Sequence, residues 1–174
     1  MSMSNMSNQY IVESAAMDDL AEIMQIFAQA REFMGGMGNP QWQDGFPEES
    51  FIADKISCGL MYKLMCGDSL AAVFSVLDYD EDYNVIDGKW LTDGNYFVLH
   101  TVAVARLFRG RGCARFIFSY AESMAAARGK ISVRMDTHEQ NVPMRTLVAS
   151  LGYTFCGKLK VRGGKPRIGF EKLI

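Results

Sequence analysis

Apolar residues recur along the chain with two different periods, and the places where the period changes mark out the elements. Residues 9–13 (QYIVE) read as a short strand. Leu20, Ile23, Met24, Phe27 and Ala30 then fall at helical spacing, an amphipathic helix entered through Asp18 and Asp19 and ended at Gly35 and Gly36. Turn formers dominate Met37–Pro47, yet Trp42 and Phe46 within it predict an ordered loop folded over something apolar. A second helix is expected at about Glu48–Cys58, stopping at Gly59. Leu60–Cys66 and Leu70–Leu77 read as strands joined by a turn at Gly67-Asp68-Ser69. Asp78–Gly94 is expected to be an acidic loop carrying Tyr79, Tyr83 and Trp90.

From Tyr96 to Val104 (YFVLHTVAV) the chain is nearly all apolar and rich in β-branched residues, the pattern of a strand buried on both faces. In the segment that follows, Ala114, Ile117, Phe118, Ala121 and Met124 share one helical face, with Gly129 as the stop. Next come a strand at Ile131–Asp136, a helix from Asn141 to Leu151 closed by Gly152, and two strands around the turn Arg162-Gly163-Gly164-Lys165. This order predicts an α/β (α+β) sheet with helices on both faces. No repeat or linker interrupts 9–174, so that span reads as a single domain, preceded by a polar segment, 1–8, expected to fray.

Composition and charge sharpen this picture. The 174 residues are 49% hydrophobic, enough for one core, and the formal net charge of -2 argues against a nucleic-acid-coating protein. That charge is unevenly spread: residues 1–100 carry 4 Lys/Arg and 16 Asp/Glu (-12), whereas residues 101–174 carry 14 and 4 (+10), which together return -2. Either the two halves attract each other across one fold, or the basic half serves a polyanionic ligand. No apolar run approaches the roughly 18 residues of a membrane span, and the first basic residue is Arg31, so neither a membrane anchor nor a secretory leader is expected and the protein reads as cytoplasmic. Cys58, Cys66, Cys113 and Cys156 form no CxxC pair and are not spaced with His100 and His138 as metal ligands, which argues against disulfides and bound metal.

The chemically informative stretch is Arg109-Gly110-Arg111-Gly112-Cys113-Ala114, between the buried strand and the helix. Glycines let the backbone aim its N–H groups at one point, the helix N-terminus adds partial positive charge, and Arg106 and Arg115 crowd the same place, a combination suited to pyrophosphate. A P-loop would need GK[ST], and a dinucleotide fingerprint would need Gly where Arg115 stands, although Asp136 lies where a ribose-binding acid might be. The pattern [QR]-x-x-G-x-[GA] is matched by Arg109, Gly112 and Ala114.

With LHTVAVARLFRGRGCARFIF followed by Asn141 and Leu151-Gly152-Tyr153, the chain resembles the GNAT superfamily of acetyl-CoA-dependent N-acetyltransferases from about residue 9 to 174. The resemblance implies a mixed sheet splayed at its centre, where Tyr96–Val104 and Ile131–Asp136 part. Pantetheine of acetyl-CoA would pair with the backbone of Val102 and Val104, and N–H groups from Arg109 to Ala114 would take the pyrophosphate. Asn141 is either a cofactor contact or an N-cap ahead of Pro143, and Cys113 either a reactive thiol or a small core filler.

Acyl transfer to an amine requires a base, and His100, expected on the face of Val102 and Val104 by strand alternation, resembles a histidine that deprotonates the amine in arylalkylamine acetyltransferases. Asp136, water and a satisfied core histidine are the alternatives. The family's acid is a Tyr seven residues after the Asn; here that place holds Val148. The donor is then solvent or another tyrosine such as Tyr96 or Tyr120, or else the chain binds acyl-CoA without turning it over. Trp42, Tyr83 and Trp90, set among carboxylates, suit a cationic amine of a small molecule or peptide, or else form a solvated acidic loop with buried tryptophans. Many members of the family are homodimers.

Overall fold

The computed structural model describes residues 10–174; the segment expected to fray, 1–8, lies outside them. In chain order the elements are β1 (Tyr10–Ser14), α1 (Leu20–Gly36), α2 (Glu49–Ser57), β2 (Met61–Cys66), β3 (Ser69–Leu77), β4 (Ile86–Gly88), β5 (Tyr96–Val104), α3 (Cys113–Ala127), β6 (Ser132–Thr137), α4 (Val142–Ser150), β7 (Thr154–Val161) and β8 (Lys165–Leu173). The strands form one sheet ordered β1-β2-β3-β5-β6-β8-β7-β4. Every neighbouring pair is antiparallel except β5 and β6.

Alternation along β3 assigns the helices to opposite faces. Ala72, Phe74 and Val76 pack with Ile117, Phe118 and Ala121 of α3 and Val148 of α4. Val73 packs with Ile23 and Phe27 of α1 and Ile52 of α2, where Trp42 completes the layer. The helical faces read from spacing are therefore the buried ones.

The sheet opens at its parallel pair. β5 and β6 are joined only over Tyr96–Val98 and Ser132–Arg134. Beyond that point β5 stays with β3 as far as Val104, while β6 stays with β8 as far as Thr137. Each strand keeps its outer neighbour and loses the inner one, which produces the central splay.

Two features depart from the sequence expectation. The acidic loop contains a short strand, β4, paired with β7 through Gly88 and Gly157. A Cβ on Gly88 would lie 2.1 Å from the Cys156 carbonyl oxygen, and one on Gly157 would lie 2.3 Å from that of Asp87, so only glycines permit this approach. The second departure is a bulge in β5. Ser75 pairs with His100 but Val73 pairs with Ala103, leaving Thr101 and Val102 opposite Phe74 alone. Thr101 adopts φ 50°, and its hydroxyl lies 2.7 Å from that of Ser75. The bulge inverts the alternation: Val102 and Val104 pack on the α3 side, whereas His100, its ring 5.7 Å from that of Tyr83, lies on the opposite face with Tyr96 and Val98. His100 therefore does not share the face of the two valines.

Candidate active site

After β5 the chain makes one tight turn at Arg106–Phe108 and reaches the glycine-rich segment. Gly110 and Gly112 adopt φ 73° and 81°, a left-handed conformation that side chains rarely tolerate. Neither glycine would crowd a neighbour through a Cβ, so the demand is conformational. The first helical bond of α3 runs from Phe116 N–H to the Gly112 carbonyl (2.9 Å), which leaves the N–H groups of Cys113, Ala114 and Arg115 without intrahelical acceptors. Together with the helix dipole they form an anion cradle. Arg109 donates to the Gln29 carbonyl (2.7 Å) and lies over the Phe33 ring, which ties the cradle to α1.

A cleft of about 880 Å³ runs from this cradle through the opening between β5 and β6. Val102, Val104, Arg109, Gly110, Gly112, Cys113, Ala114, Asn141, Trp42 and His100 all line it, as do Asp136 and Arg115. Arg111, Tyr83 and Trp90 are not among the lining residues. Arg111 sits over Phe108, and Trp90 stacks on Tyr83, donating to the Tyr83 carbonyl (2.8 Å). The cleft wall from the N-terminal loop is thus Trp42 with Phe46, while Tyr83 and Trp90 form a layer behind. Burial pushes the Cys113 thiol up, and its Sγ contacts the Tyr10 hydroxyl and the Phe108 carbonyl, an environment for a packed thiol and not for a thiolate.

Asn141 caps α4, accepting from Met144 N–H (3.4 Å), and donates through Nδ2 to the Thr137 hydroxyl (3.0 Å). Gln41 completes this corner: its Oε1 accepts from the Thr137 hydroxyl and His138 N–H, each at 3.1 Å. A loop residue from the front of the chain thereby binds the free end of β6. Nothing in the spacing of Gln41 announces that contact across 96 residues.

His100 faces a carboxylate on each side. Its Nε2 lies 2.7 Å from Asp80 Oδ2, and its Nδ1 lies 3.6 Å from Asp136 Oδ1. Asp136 is held in turn by the Tyr83 hydroxyl, which donates to Oδ1 (2.6 Å), and by Arg167, 3.6 Å from Oδ2. Burial alone would lower the imidazole pKa, but the Asp80 hydrogen bond and the charges of Asp136 and Asp80 outweigh it, so His100 is raised above its ordinary 6.5. Asp80 is lowered: burial opposes ionisation, but the His100 hydrogen bond and charge prevail. Burial, then the Asp136 charge, keeps Tyr83 a neutral phenol.

Val148 is fully buried against the α3 layer and offers no proton. Neither Tyr96 nor Tyr120 lines the cleft; the lining tyrosine is Tyr79, an exposed loop residue. Tyr153 packs edge-on against Phe118, and its hydroxyl is raised by burial. All four cysteines are free, and among the described residues no group of three or more His, Cys, Asp or Glu could hold a metal ion, nor is any helix long and apolar enough to cross a membrane.

Residues 20–153 match the Acetyltransferase (GNAT) family. Among curated proteins, the chain is 24% identical over 147 residues to YesJ, an uncharacterized N-acetyltransferase of Bacillus subtilis, covering 82% of this chain and 81% of that one. A GNAT-family acetyltransferase of Streptococcus agalactiae superposes with a TM-score of 0.80 at 31% identity, covering 95% of both chains. The fold is shared with the acetyltransferase yncA of Salmonella typhimurium, solved with acetyl-CoA: TM-score 0.64, 18% identity, covering 95% of this chain and 94% of that one. By these matches the chain belongs to the GNAT family of acetyltransferases and is an acyltransferase of the N-acetylating kind.

Proposed function

We propose that this enzyme moves the acetyl group of acetyl-CoA to a primary amine of a small molecule or peptide by direct attack within a ternary complex. The observation that carries this reading is the continuity of the cleft, which joins the anion cradle at Gly110–Ala114 to the His100 carboxylate cluster through the opening between β5 and β6. Acetyl-CoA would supply an activated thioester; the chain's own residues do the rest. The cradle N–H groups take the pyrophosphate. The unpaired inner edge of β5 at Val102 and Val104 is available to the pantetheine amides, and Asn141 closes the corner beside it.

His100 accepts the proton of the incoming amine. Asp80 fixes the ring's orientation through Nε2 and strengthens it as a base, leaving Nδ1 toward Asp136. The departing thiolate takes its proton from solvent, since Val148 stands where a tyrosine donor would be.

One observation favours a second reading. The buried Val148 suits a module that binds acyl-CoA without transferring it. Thiol release from acetyl-CoA in the presence of a panel of amines separates the two: sustained release supports the transferase, and binding without release across the panel supports the module.

A further inference from the structure

The acceptor end of the cleft contains four carboxylates and three cations besides His100, and nearly all of them already have partners. Asp80 holds His100, and Asp136 holds Tyr83 and Arg167. Asp82 accepts from Arg162 N–H (3.0 Å), and the Arg162 guanidinium reaches Asp44 (3.5 Å) and covers the Phe46 ring. Glu81 is exposed. The exception among the cations is Lys55, on the last turn of α2.

Lys55 is half-buried and lines the cleft, yet among the described residues no carboxylate lies within 4.0 Å of its Nζ and no acceptor within hydrogen-bond reach. Its Nζ lies over the face of Phe51, 5.1 Å from the ring centroid. Its charge reaches the reacting centre: it acts on both Asp80 and His100, behind burial and their mutual hydrogen bond. Beside it stands an apolar wall of Trp42, Phe46 and Phe51, with rings 4.9–6.4 Å apart.

Resting on the transferase reading above, we propose that the acceptor is an amphoteric amine, carrying an anionic group that pairs with Lys55 and an apolar body that lies on the Trp42–Phe46–Phe51 wall. A polycation fits this end poorly, because three of its four carboxylates are occupied, the fourth, Glu81, is exposed to solvent, and its unpartnered buried-side charge is positive. An amine a few bonds from a carboxylate, as in an apolar amino acid, presents its nitrogen to His100 while its acid meets Lys55. A charge-assisted hydrogen bond of this kind is worth about tenfold or more in specificity.

The test compares kcat/KM for matched pairs differing only in the carboxylate, phenylalanine against phenethylamine and leucine against isoamylamine, in wild type, Lys55→Met and Lys55→Arg. The wild type is expected to prefer the acids by at least about tenfold, Lys55→Met to bring the ratio to about one, and Lys55→Arg to restore a preference. The ratio is independent of how much of each variant folds. A wild type that acetylates the decarboxylated amines as well as the acids, or a ratio unmoved in Lys55→Met, overturns this inference and leaves the transferase reading standing. Acetyl-CoA binding with no thiol release from either member of any pair counts against the transferase reading itself and takes this inference with it.

Discussion

At the scale of single residues, the proposed chemistry turns on an imidazole between two carboxylates. Because Asp80 and Asp136 raise the pKa of His100, its neutral, proton-accepting form becomes the major one only at a pH above the ordinary 6.5. The kcat/KM profile should therefore rise with pH through a midpoint above 6.5, and Asp80→Asn should move that midpoint toward acid. A profile flat from pH 6 to 9, or a midpoint unmoved in the variant, would remove His100 as the base. His100→Gln should lower turnover about 10²–10⁴-fold while changing acetyl-CoA affinity little. The same shift contributes to stability with the opposite sign: His100 stabilises the fold fully below its unfolded value near 6.5, and that contribution is lost as pH rises through the folded value. The residue's identity as a candidate was legible in the sequence, but its face was not. Thr101 is an ordinary strand residue, and nothing in a β-branched run marks the bulge that turns His100 away from Val102 and Val104.

At the scale of elements, strand-turn-helix patterns with glycine punctuation were readable because each depends on local conformation. The Gly112 position illustrates this. Gly112→Val places a β-branched residue at φ 81° with no steric neighbour, so it should cost the cradle its shape and abolish acetyl-CoA binding in calorimetry while thermal unfolding stays cooperative. Unchanged affinity would remove the cradle from cofactor binding. Contacts made across long stretches of chain were not readable. β4 depends on two glycines 69 residues apart in mutual contact, and Gln41 reaches β6 from the far end of the sequence. The loop before β5 is anchored similarly: Glu171, wholly buried in β8, accepts from Leu91 N–H (2.6 Å) and pairs with Arg134 (3.1 Å). Glu171→Ala leaves Arg134 buried without its counter-charge and should cost about 3–5 kcal/mol in urea unfolding. A loss below about 1 kcal/mol would show that the pair is not structural.

At the scale of the whole molecule, the charge asymmetry read from the sequence draws the two halves together, and in the proposed function its basic side also serves a polyanionic ligand. Glu32 pairs with Arg106, Asp78 with Lys130 and Asp44 with Lys165, so the acidic half is fastened to the basic half across the fold. Arg109 and Arg115 remain on the cleft at the anion cradle. The splay joins that cradle to the carboxylate cluster because β5 and β6 are held by different outer neighbours, an arrangement that follows from strand order and not from any single motif. The measurement that tests this whole arrangement most directly is titration calorimetry of acetyl-CoA, with CoA and NAD as comparisons, followed on the same sample by thiol release with mixed amines. Saturable binding of acetyl-CoA and CoA but not NAD, with amine-dependent thiol release, is expected. Absence of acetyl-CoA binding would contradict it.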